Sequence, residues 1–363
     1  MPRVALIPGD GIGPEVTRQA ERVLRRVAED AGIPLDLVEW DLGAERYLRT
    51  GVAITEDDFA ELERGYDAVL MGALGDPRVP DGAHMRPILL GLRFRFDLYV
   101  NLRPVRLRRA EHSPLRNVAP GDVDLVIVRE NTEGIYAGVG GTFKRGTPDE
   151  LAIEEDVNTR RGVERIIRAA FEHARRAGRR RVTLADKANA MAHVGGLWRR
   201  VFAEVAAGYP ELEHGVMLID ALALDLVLHP ARYDVIVASN LFGDILSDLA
   251  AALVGGLGLA PSANLHPGRH GLFEPVHGSA PDIAGKGIAN PMASILTAAL
   301  MLEQLGYGAE ARRVEAAVDA ALAAGATTPD LGGRLGTEAV GDWICDWLSR
   351  AVRERAAIDA SAG

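Results

Sequence analysis

The chain has 363 residues, 48% hydrophobic and 25% charged, with a net charge of −10. That is the composition of an ordinary globular protein with room for two domains. It has no basic patch with interleaved aromatics, which excludes nucleic acid as a partner, and no apolar run of membrane-spanning length. A single cysteine, Cys345, allows no internal disulfide, which suits a reducing cytoplasm.

Strand-like and helical runs alternate along the chain. Val4–Ile7 reads as a first strand, and a helix begins at Pro14. Further strands are expected at Leu35–Trp40, Ala68–Met71, Leu125–Val128, Val182–Leu184, Val216–Ile219 and Val235–Ala238. The alternation predicts an α/β protein with several parallel strands. Residues 138–157 are Gly-rich, then polar, and read as a protruding arm. Pro261–Gly271 reads as a surface loop, Ala309–Arg353 as helices, and 354–363 as a frayed end.

Gly9, Gly11 and Gly13 follow the first strand like a dinucleotide fingerprint. The third glycine of G-x-G-x-x-G would stand at position 14, which is Pro14. Proline suits a first helical turn but not the close helix–strand packing that glycine permits. A tight strand–helix turn accounts for the glycines equally well.

The chemistry concentrates later. Asp244 and Asp248, in SNLFGDILSDL, stand four apart on one helical face and supply oxygen ligands for Mg²⁺ or Mn²⁺. Asp220 ends the apolar run Val216–Ile219, at the C-terminal edge of a strand, where open α/β sheets bind ligands. Arg93 and Arg103 bracket a helix-to-extended segment, and Arg129 follows the strand Leu125–Val128. Planar guanidinium groups grip carboxylates, so three of them suit a substrate with more than one. Only three of the 41 basic side chains are lysines, and Lys187 sits just after a strand, where a lowered pKa would make it a general base. Tyr136 could donate a proton. The loop from Glu274 to Pro291, rich in Gly, Pro and Ala, could wrap a flat ligand with its backbone. Singly, each has a plainer reading as a solvated charge, a packed ring or a surface loop.

Together, NLRP, VRENTEG-Y, the DKAN box, SNLFGDILSDL and EPVHGSAPDIAGKGIANP resemble the metal-dependent decarboxylating β-hydroxyacid dehydrogenases. That family takes in enzymes for isopropylmalate, isocitrate, homoisocitrate and tartrate or D-malate. The resemblance runs from IPGDGIGPEV to TPDLGG. It implies an isopropylmalate dehydrogenase-like α/β fold, not Rossmann, in which two domains share a mixed parallel and antiparallel sheet. The expected division is 1–98 plus 253–363 for NAD, and 99–252 for substrate, metal and dimerisation.

By the same resemblance, Arg93, Arg103 and Arg129 would hold the malate carboxylates, and Tyr136 and Lys187 would be the acid and base. Asp220, Asp244 and Asp248 would hold Mg²⁺ or Mn²⁺, with Asp220 also near the substrate. Glu274, His277, Gly278, Ser279, Ala280, Asp282, Ile283 and Asn290 would line the NAD site. Lys187 and Asp220 would come from the partner subunit of a homodimer.

Leu89 and Leu90, just before Arg93, would meet the substrate's third substituent. Neither can hydrogen-bond a carboxylate. The expected reaction is therefore NAD⁺-dependent oxidative decarboxylation of 3-isopropylmalate to 4-methyl-2-oxopentanoate, a step of leucine synthesis. Departures from the leucine branch are the lack of an acid near Arg86 and Ala190 in place of a usual Val. The alternative substrate is D-malate or tartrate. An alternative of another class is a non-catalytic regulatory subunit, against which stand all eight acid–base, metal and arginine residues.

Overall fold

The computed structural model describes residues 1–361, with side chains through Arg350. In chain order the elements begin with β1 (Arg3–Gly9), α1 (Gly13–Ala31), β2 (Asp36–Glu39), α2 (Ala44–Thr50), α3 (Glu56–Gly65) and β3 (Ala68–Ala73). Next come α4 (Met85–Arg95), β4 (Val100–Arg106), β5 (Asp124–Glu130), β6 (Gly140–Phe143), β7 (Leu151–Glu154) and α5 (Arg160–Arg176). β8 (Arg181–Asp186), α6 (Ala192–Ala206), β9 (Glu213–Leu218), α7 (Ile219–Leu228), β10 (Val235–Ala238) and α8 (Asn240–Ala252) follow. The chain finishes with β11 (Ala263–Leu265), β12 (Gly271–Phe273), α9 (Met292–Gln304), α10 (Gly308–Ala323) and α11 (Thr337–Ser361). The expectation for 354–363 falls outside the residues described in full.

Local chemistry explains several boundaries. Pro14 occupies the first turn of α1, and Gly32 closes that helix at φ 65°, a left-handed conformation that glycine adopts without strain. Thr55 and Asp58 form a reciprocal capping box on α3. Thr159 caps α5 by accepting from the Gly162 amide.

Ten strands form one sheet in the order β2-β1-β3-β12-β11-β4-β5-β10-β8-β9. Pairing is parallel at both ends and antiparallel at the centre, where β11 pairs with β12 and β4, and β4 with β5. β6 and β7 form a separate exposed hairpin within the 138–157 stretch. The surface loop expected at Pro261–Gly271 is corrected here: Ala263–Leu265 lies in the middle of the sheet, and Asn264 is fully buried. Its sequence, PSANL, lacks the β-branched alternation that marks most strands.

Helices cover both faces. On one, α1 and α9 pack on Val4, Leu6, Leu70 and Phe273 with α10 and α11 packed against those two helices, while α5 and α6 pack on Val126, Val128, Val182 and Val235. On the other, α3 and α4 pack on Ile7, Val69 and Met71, and α7 and α8 on Leu125, Ile127 and Ile236. Successive side chains on a strand alternate between these faces. Arg103 and Arg129 therefore point toward α8, while Leu102 and Val128 point toward α5. Among the described residues no helix is long and apolar enough to cross a membrane.

Candidate active site

The three arginines predicted to hold carboxylates converge on the α4–α8 face. Arg93 lies in the last turn of α4, Arg103 on β4 and Arg129 at the end of β5, and all three are buried. Arg93 donates to Glu274 Oε1 at 2.7 Å. Arg103 donates to Asn101 Oδ1 at 2.7 Å and Ser247 Oγ at 2.5 Å, and lies 3.3 Å from Asp244 Oδ1 and 3.7 Å from Asp248 Oδ1. Arg129 grips Asn240 Oδ1 through Nε at 3.0 Å and Nη2 at 2.7 Å, and its Nη1 donates to Asp244. Burial, and then the Arg103 charge, weaken the hold of Arg129 on its proton.

Gly243 makes this approach possible. A Cβ on it would stand 2.6 Å from Arg129 Cβ, so only glycine lets α8 lie on that side chain. The Arg129 guanidinium carbon sits 5.2 Å from the centroid of the Tyr136 ring. Tyr136 Oη donates to Asp244 Oδ2 at 2.8 Å. Burial, reinforced by that hydrogen bond, raises the Tyr136 pKa, so the phenol keeps its proton as an acid must.

The two α8 carboxylates differ. Burial works to raise the Asp244 pKa, but Arg129, Arg103 and the Tyr136 hydroxyl outweigh it and hold the carboxyl below the usual aspartate range. Burial raises that of Asp248, and the Asp244 charge adds to the effect against the opposing Arg103. A divalent cation facing both would favour both anions.

Lys187 and Asp220 pair with each other and make no hydrogen bond or ion pair with this group. The Lys187 ammonium donates to Asp220, which lowers the Asp220 pKa. Lys187 follows β8, as expected. Asp220, expected at a strand end, is in the first turn of α7, because β9 stops at Leu218. Its side chain is 64% exposed. Among the described residues of one chain, no three acidic, histidine or cysteine side chains group into a metal site. Asp244 and Asp248 therefore offer two oxygen donors, and one chain does not bring Asp220 to them.

The 274–291 loop meets the first strand–helix turn. Ser279 O accepts from the Ile12 amide at 2.8 Å, and a Cβ on Gly11 would stand 2.0 Å from that oxygen. Gly11 thus seats this loop, while Gly9 and Gly13 lie against Pro8 and Ala73. Ala280 takes φ 39°, a strained conformation for a side-chain-bearing residue and one that concentrates at ligand sites. His277 Nε2 is buried without a partner, burial lowers the His277 pKa, and Gly278 faces open space. An open backbone with a neutral ring in need of a partner fits a nucleotide's base and ribose. Asp282 is exposed and Ile283 half-buried. The Asn290 side chain is engaged within the chain, by Asp330 Oδ2 at 3.0 Å and the Met292 amide at 3.0 Å.

Leu90 and Arg93 are three apart on α4 and share a helix face with Arg86. Leu89 packs partly against the core beneath. The Arg86 guanidinium reaches the turn after Tyr136, 3.5 Å from where a Gly138 Cβ would stand.

Several working residues escaped the sequence reading. Asn101, Asn131 and Asn264 are buried amides joined to one another, and Asn264 Nδ2 donates to Glu274 Oε1 at 2.9 Å. The available signal was Asn101, an Asn inside the extended stretch Val100–Leu102; Asn131, in the polar run after β5, and Asn264, in PSANL, carried none. Asn240, four before Asp244 on α8, could have been read from helical spacing.

A mixed sheet carrying three buried arginines over two helical carboxylates defines a class that handles small multi-carboxylate acids. The family model for isocitrate/isopropylmalate dehydrogenase matches residues 3–344, and the chain belongs to that family. It is 50% identical to a 3-isopropylmalate dehydrogenase of Thermobifida fusca over 318 residues, 87% of this chain and 90% of that protein. It is 51% identical to one of Corynebacterium aurimucosum over 341 residues, 92% and 98% of the two chains. Among solved structures, an isocitrate dehydrogenase from Methylococcus capsulatus superposes with a TM-score of 0.87 at 40% identity, covering 96% of this chain and 99% of that one.

Proposed function

We propose that the protein oxidises and decarboxylates 3-isopropylmalate to 4-methyl-2-oxopentanoate with NAD⁺ and Mg²⁺ or Mn²⁺. The observation that carries the choice is the α4 face, where Leu90 stands beside Arg93 and Leu89 packs behind. Burying an unpaired carboxylate there costs several kcal/mol, roughly, whereas an alkyl group gains about 0.8 kcal/mol per methylene. The relatives' names support the same reading.

Arg93, Arg103 and Arg129 hold the two malate carboxylates in this assignment. When bound, the cation would polarise the substrate hydroxyl, and the nicotinamide would accept the hydride from the carbon that bears it. Lys187 takes the hydroxyl proton. After carbon dioxide leaves, Tyr136 returns a proton to the enol carbon, for which its raised pKa equips it. Glu274, His277, Gly278, Ser279, Ala280, Asp282 and Ile283 line the nucleotide site, and Asn290 shapes the loop.

The site is completed by a second copy of the chain, whose Lys187 and Asp220 enter the cluster of the first. Exposed apolar side chains support such a dimer: Phe143, Leu151 and Ile153 on the hairpin, Leu224 and Leu228 on α7, and Ile245 on α8, one residue after Asp244. The hydrophobic cores support the division of the chain. Two draw their buried residues only from before position 99 or after 258, which suits an NAD-binding half of 1–98 plus 253–363. Two others draw theirs from 100–254, which suits a substrate half of 99–252.

The test is NAD⁺ reduction over 3-isopropylmalate, D-malate, tartrate, isocitrate and homoisocitrate. The expected order puts 3-isopropylmalate first in kcat/KM. A higher value for D-malate moves the assignment to that substrate, and no reduction with any of the five sinks the enzymatic reading.

A further inference from the structure

The sheet carries a large cleft on the face opposite the arginines and carboxylates of the candidate site. It has a volume of about 1100 Å³ and lies between α5 and α9. Its floor is apolar: Val100 and Leu102 of β4, Val128 of β5, Leu265 of β11 and Phe273 of β12. These alternate along β4 and β5 with Asn101, Arg103 and Arg129, so the same strands serve the candidate site and this cleft from opposite sides.

The α5 wall is basic. Arg161, Arg165, Arg168, Glu172 and Arg176 recur three or four residues apart, and all line the cleft. Arg165 is fixed, donating to Asp97 at 2.8 Å and Thr132 at 2.7 Å with its guanidinium carbon 4.3 Å from the Tyr99 ring centroid. Arg168 pairs with Glu164 at 2.8 Å. Glu172 is taken by Arg175 at 2.6 Å and by Tyr209. Arg161 and Arg176, at the two ends of the stripe, make no ion pair among the described residues, and they stand about 22 Å apart along the helix. Burial, with Arg176 and Arg179, pushes His173 down to about 4, so the ring is neutral and adds to the apolar lining. The facing wall supplies Leu300, Gln304 and one acid, Glu303.

An apolar floor, a few placed polar groups and this volume are the makings of a small-molecule site. We propose that the cleft between α5 and α9 binds an amphipathic organic anion. Its apolar body lies on the floor formed by β4, β5, β11 and β12, and its anionic group meets Arg161 or Arg176. Neither arginine belongs to the candidate active site, so the assignment stands apart from the proposed reaction.

The probe is 8-anilinonaphthalene-1-sulfonate, an apolar ring system with one sulfonate. Fluorescence titration and calorimetry of the full chain should show a site saturating at one dye per chain, undisturbed by saturating NAD⁺. The double variant Arg161→Glu/Arg176→Glu should weaken the dye at least tenfold while NAD⁺ binding and the thermal midpoint stay within error. Ala169→Trp, which fills the cleft without changing charge, should weaken it comparably and serves as the reading if the double variant does not fold. Displacement of the dye by NAD⁺, or an affinity within twofold of the parent in the folded variants, overturns the assignment.

Discussion

Arg129 donates to Asp244 from beneath the Tyr136 ring, so a guanidinium assigned to substrate and a carboxylate assigned to metal neutralise each other within one chain. Arg103 joins the same carboxylate at 3.3 Å. Binding of a cation and a dianionic acid must then be an exchange of partners: Asp244 turns to the cation as the arginines turn to the substrate. The two binding events should reinforce each other.

Asp244→Asn tests this relationship. It removes the charge facing two buried arginines. Breaking a fully buried pair costs about 3–5 kcal/mol; with Asp244 35% exposed, a loss of about 1–3 kcal/mol is expected. Because Arg129 and Arg103 lower the Asp244 pKa, its stabilisation is full at neutral pH and is lost as pH falls through that lowered value. The variant should therefore show a flatter acid limb in denaturation against pH. Calorimetry should show weaker Mn²⁺ binding. An unchanged acid limb and unchanged metal affinity would contradict the assignment.

Tyr136→Phe should lower kcat by about 10²–10⁴ and leave NAD⁺ affinity unaltered. Removing the hydroxyl also frees Asp244 Oδ2, so metal affinity should not fall. Near-parental turnover in the purified variant would remove Tyr136 from the acid role.

The pairing of Lys187 and Asp220 with each other, and not with the other site residues, predicts complementation. Lys187→Met and Tyr136→Phe homodimers should each be nearly inactive. After subunit exchange, hybrids should regain part of the parental rate, since one of their two sites is intact. No recovery after verified exchange would place Lys187 in the site of its own chain.

Asp282 and Ile283 should set cofactor choice. An exposed carboxylate can accept from a ribose diol and repels a 2′-phosphate. NAD⁺ should therefore exceed NADP⁺ in kcat/KM, and Asp282→Lys/Ile283→Tyr should narrow or invert the ratio. Equal efficiency of the parent with both cofactors would defeat this prediction.

Leu90→Arg should depress kcat/KM for 3-isopropylmalate by at least tenfold and raise it for homoisocitrate. The new guanidinium would replace an alkyl contact with a carboxylate partner on the face that carries Arg93. A variant that keeps the parental preference would place the third substituent elsewhere.

Much of this was legible in the sequence because it rested on short, periodic signals. Asp244 and Asp248 share a face by helical spacing, Arg129 ends an apolar strand, and Pro14 argued against a dinucleotide fingerprint. The convergence of Arg93 with Glu274 was not legible, since 181 residues separate them and the contact depends on strand order. Nor was β11, because its inward residue is an amide and its length only three residues. Asp220 escaped exact placement for a simpler reason: Ile219, apolar and β-branched, opens a helix instead of closing a strand.

Asn264 leaves the fold little tolerance. Its Oδ1 accepts from Asn101 and Asn131, each at 2.9 Å, and its Nδ2 donates to Leu272 O at 3.1 Å and Glu274 Oε1 at 2.9 Å. Every hydrogen-bonding position of that amide is filled. Aspartate would bring a charge and no donor, leucine would strand four partners, and glutamine would overfill the space. The joint couples the strand of Arg103 to the loop entered through Glu274. Substrate preference can drift through exposed or half-buried positions such as Leu89 and Leu90 while this joint stays fixed. The molecule thus divides into a part free to be retuned and a part that change would break.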